Sequence, residues 1–207
     1  SSKPQTTRRA IRGIVNTPNA QLILVDTPGL HRPRTLLGQR LNDVVENTLS
    51  SVDVIGFCIP ANEKIGPGDT FINEQLNEFR RAKLVAVVTK CELVSPEQLA
   101  EQLLAVSLLR DWKAIVPVSA VTDDQLEVLT KVLIDLMPLS PPLYPSDAVT
   151  DESLEARICE LIREATLEGV RDELPHSIAV TIDEISKRKG KDLTDIHANI
   201  FVERDSQ

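Results

Sequence analysis

Leu22-Ile23-Leu24-Val25-Asp26-Thr27-Pro28-Gly29-Leu30 is an apolar run that ends in a carboxylate, a proline and a glycine. Four consecutive aliphatic residues read as a buried strand. Asp26 to Gly29 then read as the loop at its carboxyl end. In open α/β sheets, strand ends of this kind line the ligand crevice. A carboxylate there suits a hard divalent cation, directly or through water. Glycine lets a backbone N–H approach a phosphate closely. A lone D-x-x-G is weak evidence, because strands often end in Asp and Gly by chance.

Two further strand ends strengthen it. The run Leu84 to Val88 leads into Thr89-Lys90-Cys91-Glu92, and Ala114 to Val118 leads into Ser119-Ala120. Between these runs the apolar spacing is helical. Leu37, Leu41, Val44, Val45 and Leu49 make one amphipathic stripe, Phe71, Ile72, Leu76 and Phe79 a second, and Leu99, Leu103 and Val106 a third. Leu126, Leu129, Leu133 and Leu136 make a fourth. Ser95-Pro96 reads as an N-cap followed by proline at the first helical position. Thr122 with Gln125 reads as a capping box. Ile11 to Asn16 and Gln21 to Asp26 read as a hairpin about the turn-rich Thr17-Pro18-Asn19-Ala20. Val54 to Ile59 is another buried strand, and residues 62–69 read as a loop. Alternating strands and helices predict an α/β fold, a mostly parallel sheet with helices on both faces. The three ligand-like segments fall at its carboxyl ends.

Residues 138–145 hold four prolines, which cannot continue a helix or a central strand. They mark a semi-rigid linker, so residues 1–138 are expected as one domain, 139–149 as linker and 150–207 as a second unit. Leu154, Ile158, Leu161, Ile162 and Ala165 form a helical stripe. Ser177 to Ile185 and Ile196 to Val202 alternate like half-buried strands about the polar stretch Lys187 to Asp192. One helix and two strands bury little, so this unit reads as incomplete.

The bulk properties bound the function. The 207 residues carry 23 Lys and Arg against 31 Asp and Glu, a net charge of −8. That argues against a general nucleic-acid coat, and DNA is not an expected partner. Aromatic residues make up only 3%, so the core must be aliphatic. Cys58, Cys91 and Cys159 show no metal-like or paired spacing, which fits a reducing compartment. No apolar run of about eighteen residues occurs, and the first residues show no signal-peptide pattern. His31, His176 and His197 have no ligand spacing and read as structural. Trp112 reads as packing.

The ordered set D-T-P-G, T-K-x-E and S-A resembles the nucleotide motifs of the translation-factor-class GTPases. Lys3-Pro4-Gln5-Thr6-Thr7-Arg8 resembles the first switch of one branch, the Era GTPases. Residues 172–177 and 201–207 resemble parts of that family's RNA-binding KH domain. The resemblance covers nearly the whole chain. It implies a P-loop NTPase-type domain followed by a type II KH-like α+β unit.

It further implies GTP and GDP as ligands, with Mg2+ held by Asp26 and by Thr7 (or failing that Thr6), within the segment Asp26, Thr27, Pro28 and Gly29. Gly29 would give its N–H to the γ-phosphate and act as the switch hinge. Leu30 stands where Ras-like enzymes carry a water-orienting glutamine. Leucine cannot polarise water, so hydrolysis would be assisted otherwise, and a potassium ion is one candidate. Thr89, Lys90 and Glu92 would read guanine, Glu92 with two hydrogen bonds and Lys90 with its stem. Ser119 and Ala120 would complete the base pocket through the Ala120 N–H. This chain departs from the family's N-K-x-D and S-A-K at Thr89, Glu92 and Val121. Those departures bear on how tightly guanine is selected.

No G-x-x-x-x-G-K-S/T and no G-x-x-G occurs in the 207 residues. The first supplies the phosphate cradle and the second clamps RNA. The expectation is a domain without its first strand and phosphate loop, inactive alone. From Thr150 onward, eight Lys and Arg stand against fourteen Asp and Glu, a poor footprint for RNA. The basic cluster at 187–191 reads as a solvated hairpin tip. As resemblance implies, the function is a GTP-hydrolysing switch in the cytoplasm that binds 16S rRNA and the 30S subunit and assists its biogenesis. Peripheral contact with the inner face of the cell membrane stays open. The competing reading is a nucleotide-free interaction module derived from such a GTPase.

Overall fold

The structure, a computed structural model, describes residues 11–28, 36–168 and 178–202. Thr7, Gly29, Leu30 and the segments 3–8, 172–177 and 203–207 lie outside the described residues.

β1 (Ile11–Thr17) and β2 (Ala20–Asp26) form an antiparallel hairpin. Thr17 pairs with Ala20, so the turn is Pro18-Asn19, tighter than the four-residue turn expected. The Thr17 hydroxyl donates to the Ala20 carbonyl at 3.0 Å and closes it. The register sets Ile11 opposite Asp26. The chain therefore enters β1 beside the carboxyl end of β2.

β3 (Val54–Pro60), β4 (Lys83–Thr89) and β5 (Ala114–Pro117) make a parallel sheet in the order β3-β4-β5. β4 is central and apolar on both faces, which is why Leu84 to Val88 reads as an unbroken aliphatic run. Ile55, Phe57, Ile59, Ala86 and Val88 face one side. There Leu49 of α1 (Leu36–Ser51), Ile72 of α2 (Pro67–Gln75) and Leu99 and Leu103 of α3 (Pro96–Ser107) pack over them. Val85, Val87, Val116 and Val118 face the other side, under Leu126, Leu129, Val132 and Leu136 of α4 (Leu126–Leu136). Helices thus cover both faces, as strand–helix alternation requires. Among the described residues, β2 and β3 share no ladder.

Two local expectations are corrected. α2 begins at Pro67, inside the stretch read as a loop, because Asp69 reaches back and accepts the Gly66 N–H at 2.8 Å. The Thr122–Gln125 capping box does not form. Gln125 itself precedes α4 in a left-handed conformation, φ 60°, without a side-chain cap bond. The reason is a competing partner: the Thr122 N–H donates to the Ser119 hydroxyl at 3.2 Å, and the Ser119 N–H to the Asp124 carbonyl at 3.1 Å. Those bonds fold residues 119–124 into a tight loop. The Ser95–Gln98 capping box of α3 does form, both ways.

The second unit holds α5 (Leu154–Glu168) and the antiparallel pair β6 (Ile178–Lys187) and β7 (Thr194–Val202), with a bulge between Ile182 and Glu184. Arg188 pairs with Asp195 across the hairpin end. One member of the basic cluster is thereby partnered.

Candidate functional site

β3, β4 and β5 are parallel, so their carboxyl ends lie on one side of the sheet, and hydrogen bonds stitch them together. The Val118 N–H donates to the Val88 carbonyl at 2.8 Å, and the Cys91 N–H returns to the Val118 carbonyl at 3.3 Å. The Ala61 N–H, just past β3, donates to the Thr89 carbonyl at 2.7 Å. Thr89-Lys90-Cys91-Glu92 and Ser119-Ala120, thirty residues apart in sequence, are thus neighbours through main-chain bonds.

Lys90 sits in the left-handed region at φ 59°, where the strand gives way to a short 3-10 turn over Cys91–Leu93. A non-glycine residue there is held by its surroundings. The turn presents Lys90 and Glu92 to solvent while Thr89 is half-buried. Ser119 is 1% exposed. Its hydroxyl, which accepts the Thr122 N–H, is also the first cause holding the Glu92 carboxyl below the ordinary carboxylate range, ahead of the Glu92 backbone N–H and the Lys90 charge. Burial of Ser119 and exposure of Glu92 make a rigid donor behind an accessible acceptor. Ala120 and Val121 are exposed at the rim, Val121 to 81%.

Asp26 is exposed at the end of β2, Thr27 is half-buried and Pro28 is buried. The Asp26 charge also reaches Cys58 near the end of β3, a solvent-accessible thiol pushed up first by partial desolvation and then by that charge. Asp26 therefore stands at the same end of the fold as the carboxyl ends of β3 to β5. Its oxygen donors suit a hard cation such as Mg2+. Among the described residues, no group of three or more His, Cys, Asp or Glu forms a further metal cluster.

Two residues behind the rim carry no motif signal. Gln102 of α3 is 8% exposed, and its amide donates to the carbonyls of Pro60 and Glu63 at 3.1 and 2.8 Å. It pins the loop after β3, and that loop brings Glu63 to 3.8 Å from Lys90 Nζ. A polar residue on the apolar stripe of a predicted helix was the available clue. Trp112 is buried as expected: its Nε1 donates to the Val106 carbonyl at 2.9 Å, and its ring lies 6.0 Å from that of Phe57.

Comparison with known proteins bears on this arrangement. A family model described as "50S ribosome-binding GTPase" matches residues 1–90. A GTPase Era from Mycobacterium sp. strain JLS is 60% identical over 210 residues, covering 100% of this chain and 70% of that protein. A crystal structure of Aquifex aeolicus Era bound to GDP.AlF4- superposes with a TM-score of 0.92 at 31% identity, over 100% of this chain and 70% of that one. Era in complex with MgGDPNP and nucleotides 1506-1542 of 16S ribosomal RNA superposes equally well, at 0.92 and 31% with the same coverage. Among the described residues, no helix is long and apolar enough to cross a membrane.

Proposed function

Because the chain belongs to the Era GTPase family, we propose that it is the guanine-reading and second-unit portion of a cytoplasmic GTP-hydrolysing switch that engages small-subunit ribosomal RNA. The observation that carries the nucleotide half is the stitched strand-end pair. Glu92 is exposed with a depressed carboxyl, so it is ionised at neutral pH and its two oxygens can accept two donors. Guanine offers two such donors on one edge, and adenine does not. Ser119 orients Glu92, Ala120 supplies an N–H at the rim, and the Lys90 stem covers one face of the base. Thr89 closes the strand beneath.

Asp26, with Thr7, would hold Mg2+, which neutralises phosphate charge when bound. Thr27 and Pro28 follow it in the chain, Gly29 would give its N–H to the γ-phosphate, and Leu30 cannot polarise water, so the attacking water would be positioned by other means. A potassium ion stays part of the proposal. It would be dropped if hydrolysis, in any form of the protein that turns over GTP, ran equally in Na+ and K+. The relative solved with 16S ribosomal RNA supports the RNA half of the reading, and ribosomal small-subunit assembly is the matching role.

The 207 residues contain no G-x-x-x-x-G-K-S/T. On their own they lack the phosphate cradle, so binding is weak and hydrolysis absent. The test is a titration of this chain with fluorescent GDP and ADP in Mg2+. Weak binding that favours GDP, with the preference lost in Glu92→Ala, is expected. Equal affinity for both nucleotides would overturn the guanine assignment. GDP binding at micromolar or tighter would overturn the inference from the missing cradle.

A further inference from the structure

Composition makes residues 139–149 a tether, but the structure ties the second half of that stretch to the β1–β2 hairpin. Gln21 of β2 is the first clamp. Its side-chain oxygen accepts the N–H groups of Leu143 and Tyr144, each at 2.9 Å, and its Nε2 donates to the Tyr144 carbonyl at 3.0 Å. Asn16 then donates to the Ala148 carbonyl at 2.9 Å. The Ile14 N–H donates to the Val149 carbonyl at 2.9 Å, and Gly13 forms an antiparallel bridge with Thr150. The Thr150 hydroxyl donates to the Arg12 carbonyl at 2.7 Å, and the Arg12 guanidinium meets Asp151 at 2.7 Å. The partners descend β1 in order, 16, 14, 13, 12, as the linker ascends, 148, 149, 150, 151. After a turn in which the Ala148 N–H donates to the Pro145 carbonyl at 3.1 Å, Ile14–Val149 and Gly13–Thr150 are in antiparallel register, a single bridge flanked by side-chain bonds. Two residues later Ser153 starts α5, its hydroxyl accepting the Ala156 N–H at 3.2 Å and its carbonyl the Arg157 N–H at 3.1 Å.

We propose that residues 143–151 are a docking strap, held by side-chain clamps up to Ala148 and pairing as a single β-bridge at 149–150 on the outer edge of the hairpin, through which β1 sets where α5 begins. The strap ties the chain entering β1, opposite Asp26, to the second unit. The switch reading above supplies the origin of the signal; the strap itself does not depend on it. The chemistry suits a device that opens and closes. An edge strand offers unpaired main-chain groups that favour pairing. The prolines before the strap stiffen the approach and lower the entropy cost of docking. Yet the bonds are few and mostly exposed, so the strap belongs to the low-stability end of the fold and opens well before the sheet does.

Cross-linking and hydrogen exchange on the 207-residue chain, without nucleotide, test it. With Cys58, Cys91 and Cys159 changed to Ser, the pair Gly13→Cys and Thr150→Cys is introduced. The Ile14–Val149 bond makes positions 13 and 150 a non-hydrogen-bonded pair, the closer of the two kinds. A Cβ at Gly13 meets no heavy atom within 4 Å. A control pairs Gly13→Cys with Asp147→Cys, out of register. Air oxidation is expected to close the first pair and not the second. Equal closure of both, or closure of neither, would overturn the docking.

The double variant Arg12→Ala, Gln21→Ala should raise amide exchange at Ile14 and in the first turn of α5, at Ala156 and Arg157, by at least about tenfold. Amides of β3 to β5 should be unchanged, and adding the in-register cross-link should restore α5. Faster exchange at Ile14 with α5 unaffected would show a local clasp and overturn the coupling. Because no nucleotide enters, failure of the guanine assignment leaves this outcome readable.

Discussion

Gln102→Leu should destabilise the fold through the site rather than through the core. Leucine is close to glutamine in volume, so the packing of α3 against the sheet changes little. What is lost is a buried amide donating to two carbonyls, Pro60 at 3.1 Å and Glu63 at 2.8 Å. A typical net hydrogen bond contributes about 1 kcal/mol, and a stranded buried acceptor costs about 1–3 kcal/mol. Glu63 is exposed and Pro60 half-buried, so water recovers the Glu63 carbonyl more easily. The expected cost is then about 2–3 kcal/mol, near the lower part of the range for two losses. For a chain of this size that lowers Tm by roughly 4–12 °C. Equilibrium urea unfolding by circular dichroism measures it, with Glu63→Gln as the control. The control removes only the Lys90 ion pair, whose partners are 51% and 64% exposed, and exposed pairs of this kind contribute about 0–1 kcal/mol. A Gln102→Leu protein within about 0.5 kcal/mol of the parent would refute the claim that this amide holds the loop, because even one net hydrogen bond is larger.

Three further outcomes are expected. Ser119→Ala should move the Glu92 titration up toward the ordinary Glu value of about 4.3, read by NMR of the side-chain carboxyl. In the parent the ionised form is favoured, so its contribution is full above the ordinary value and is lost only as pH falls through the depressed one; an unmoved titration would refute the Ser119 contact. Ile59→Ala, at a side chain 1% exposed in the main core, should cost about 2–5 kcal/mol in urea unfolding, and a cost under 1 kcal/mol would mean that β3 is not packed as described. Cys58 is solvent-accessible, yet it should react with iodoacetamide at pH 8 more slowly than the same thiol in urea, since partial desolvation and the Asp26 charge disfavour its thiolate; equal rates would mean that neither acts on it.

The sheet was legible in the sequence wherever one residue type had one reason to be there. Leu84 to Val88 could only be a strand buried on both faces, and it is β4. Ser95-Pro96 could only open a helix, because the hydroxyl, the fixed φ and Gln98 three residues on all point the same way. Thr122 and Gln125 carried a similar local pattern and misled. There the loop bonds of Ser119 to Thr122 and Asp124 took the groups a capping box would have used. Local pattern predicts a cap only when no partner elsewhere competes for the same N–H.

The site divides the same way. Glu92 and Ser119 were visible because their segments follow aliphatic runs, and strand ends of one parallel sheet converge whatever the intervening chain does; Asp26 also closes an aliphatic run, but in the antiparallel hairpin. What holds them was not visible. Gln102 acts across some forty residues, and Gln21 and Arg12 grip a linker more than a hundred residues away. No periodicity or spacing rule reports a single side chain reaching a distant carbonyl. The consequence is physical as well as methodological. The groups proposed to face a ligand sit on main-chain geometry that the aliphatic pattern enforces, whereas the loop after β3 and the strap depend on single amides and one ion pair. Substitutions on the rim should therefore change what is bound with little loss of stability. Substitutions at Gln102, Gln21 or Arg12 should change how the parts move together.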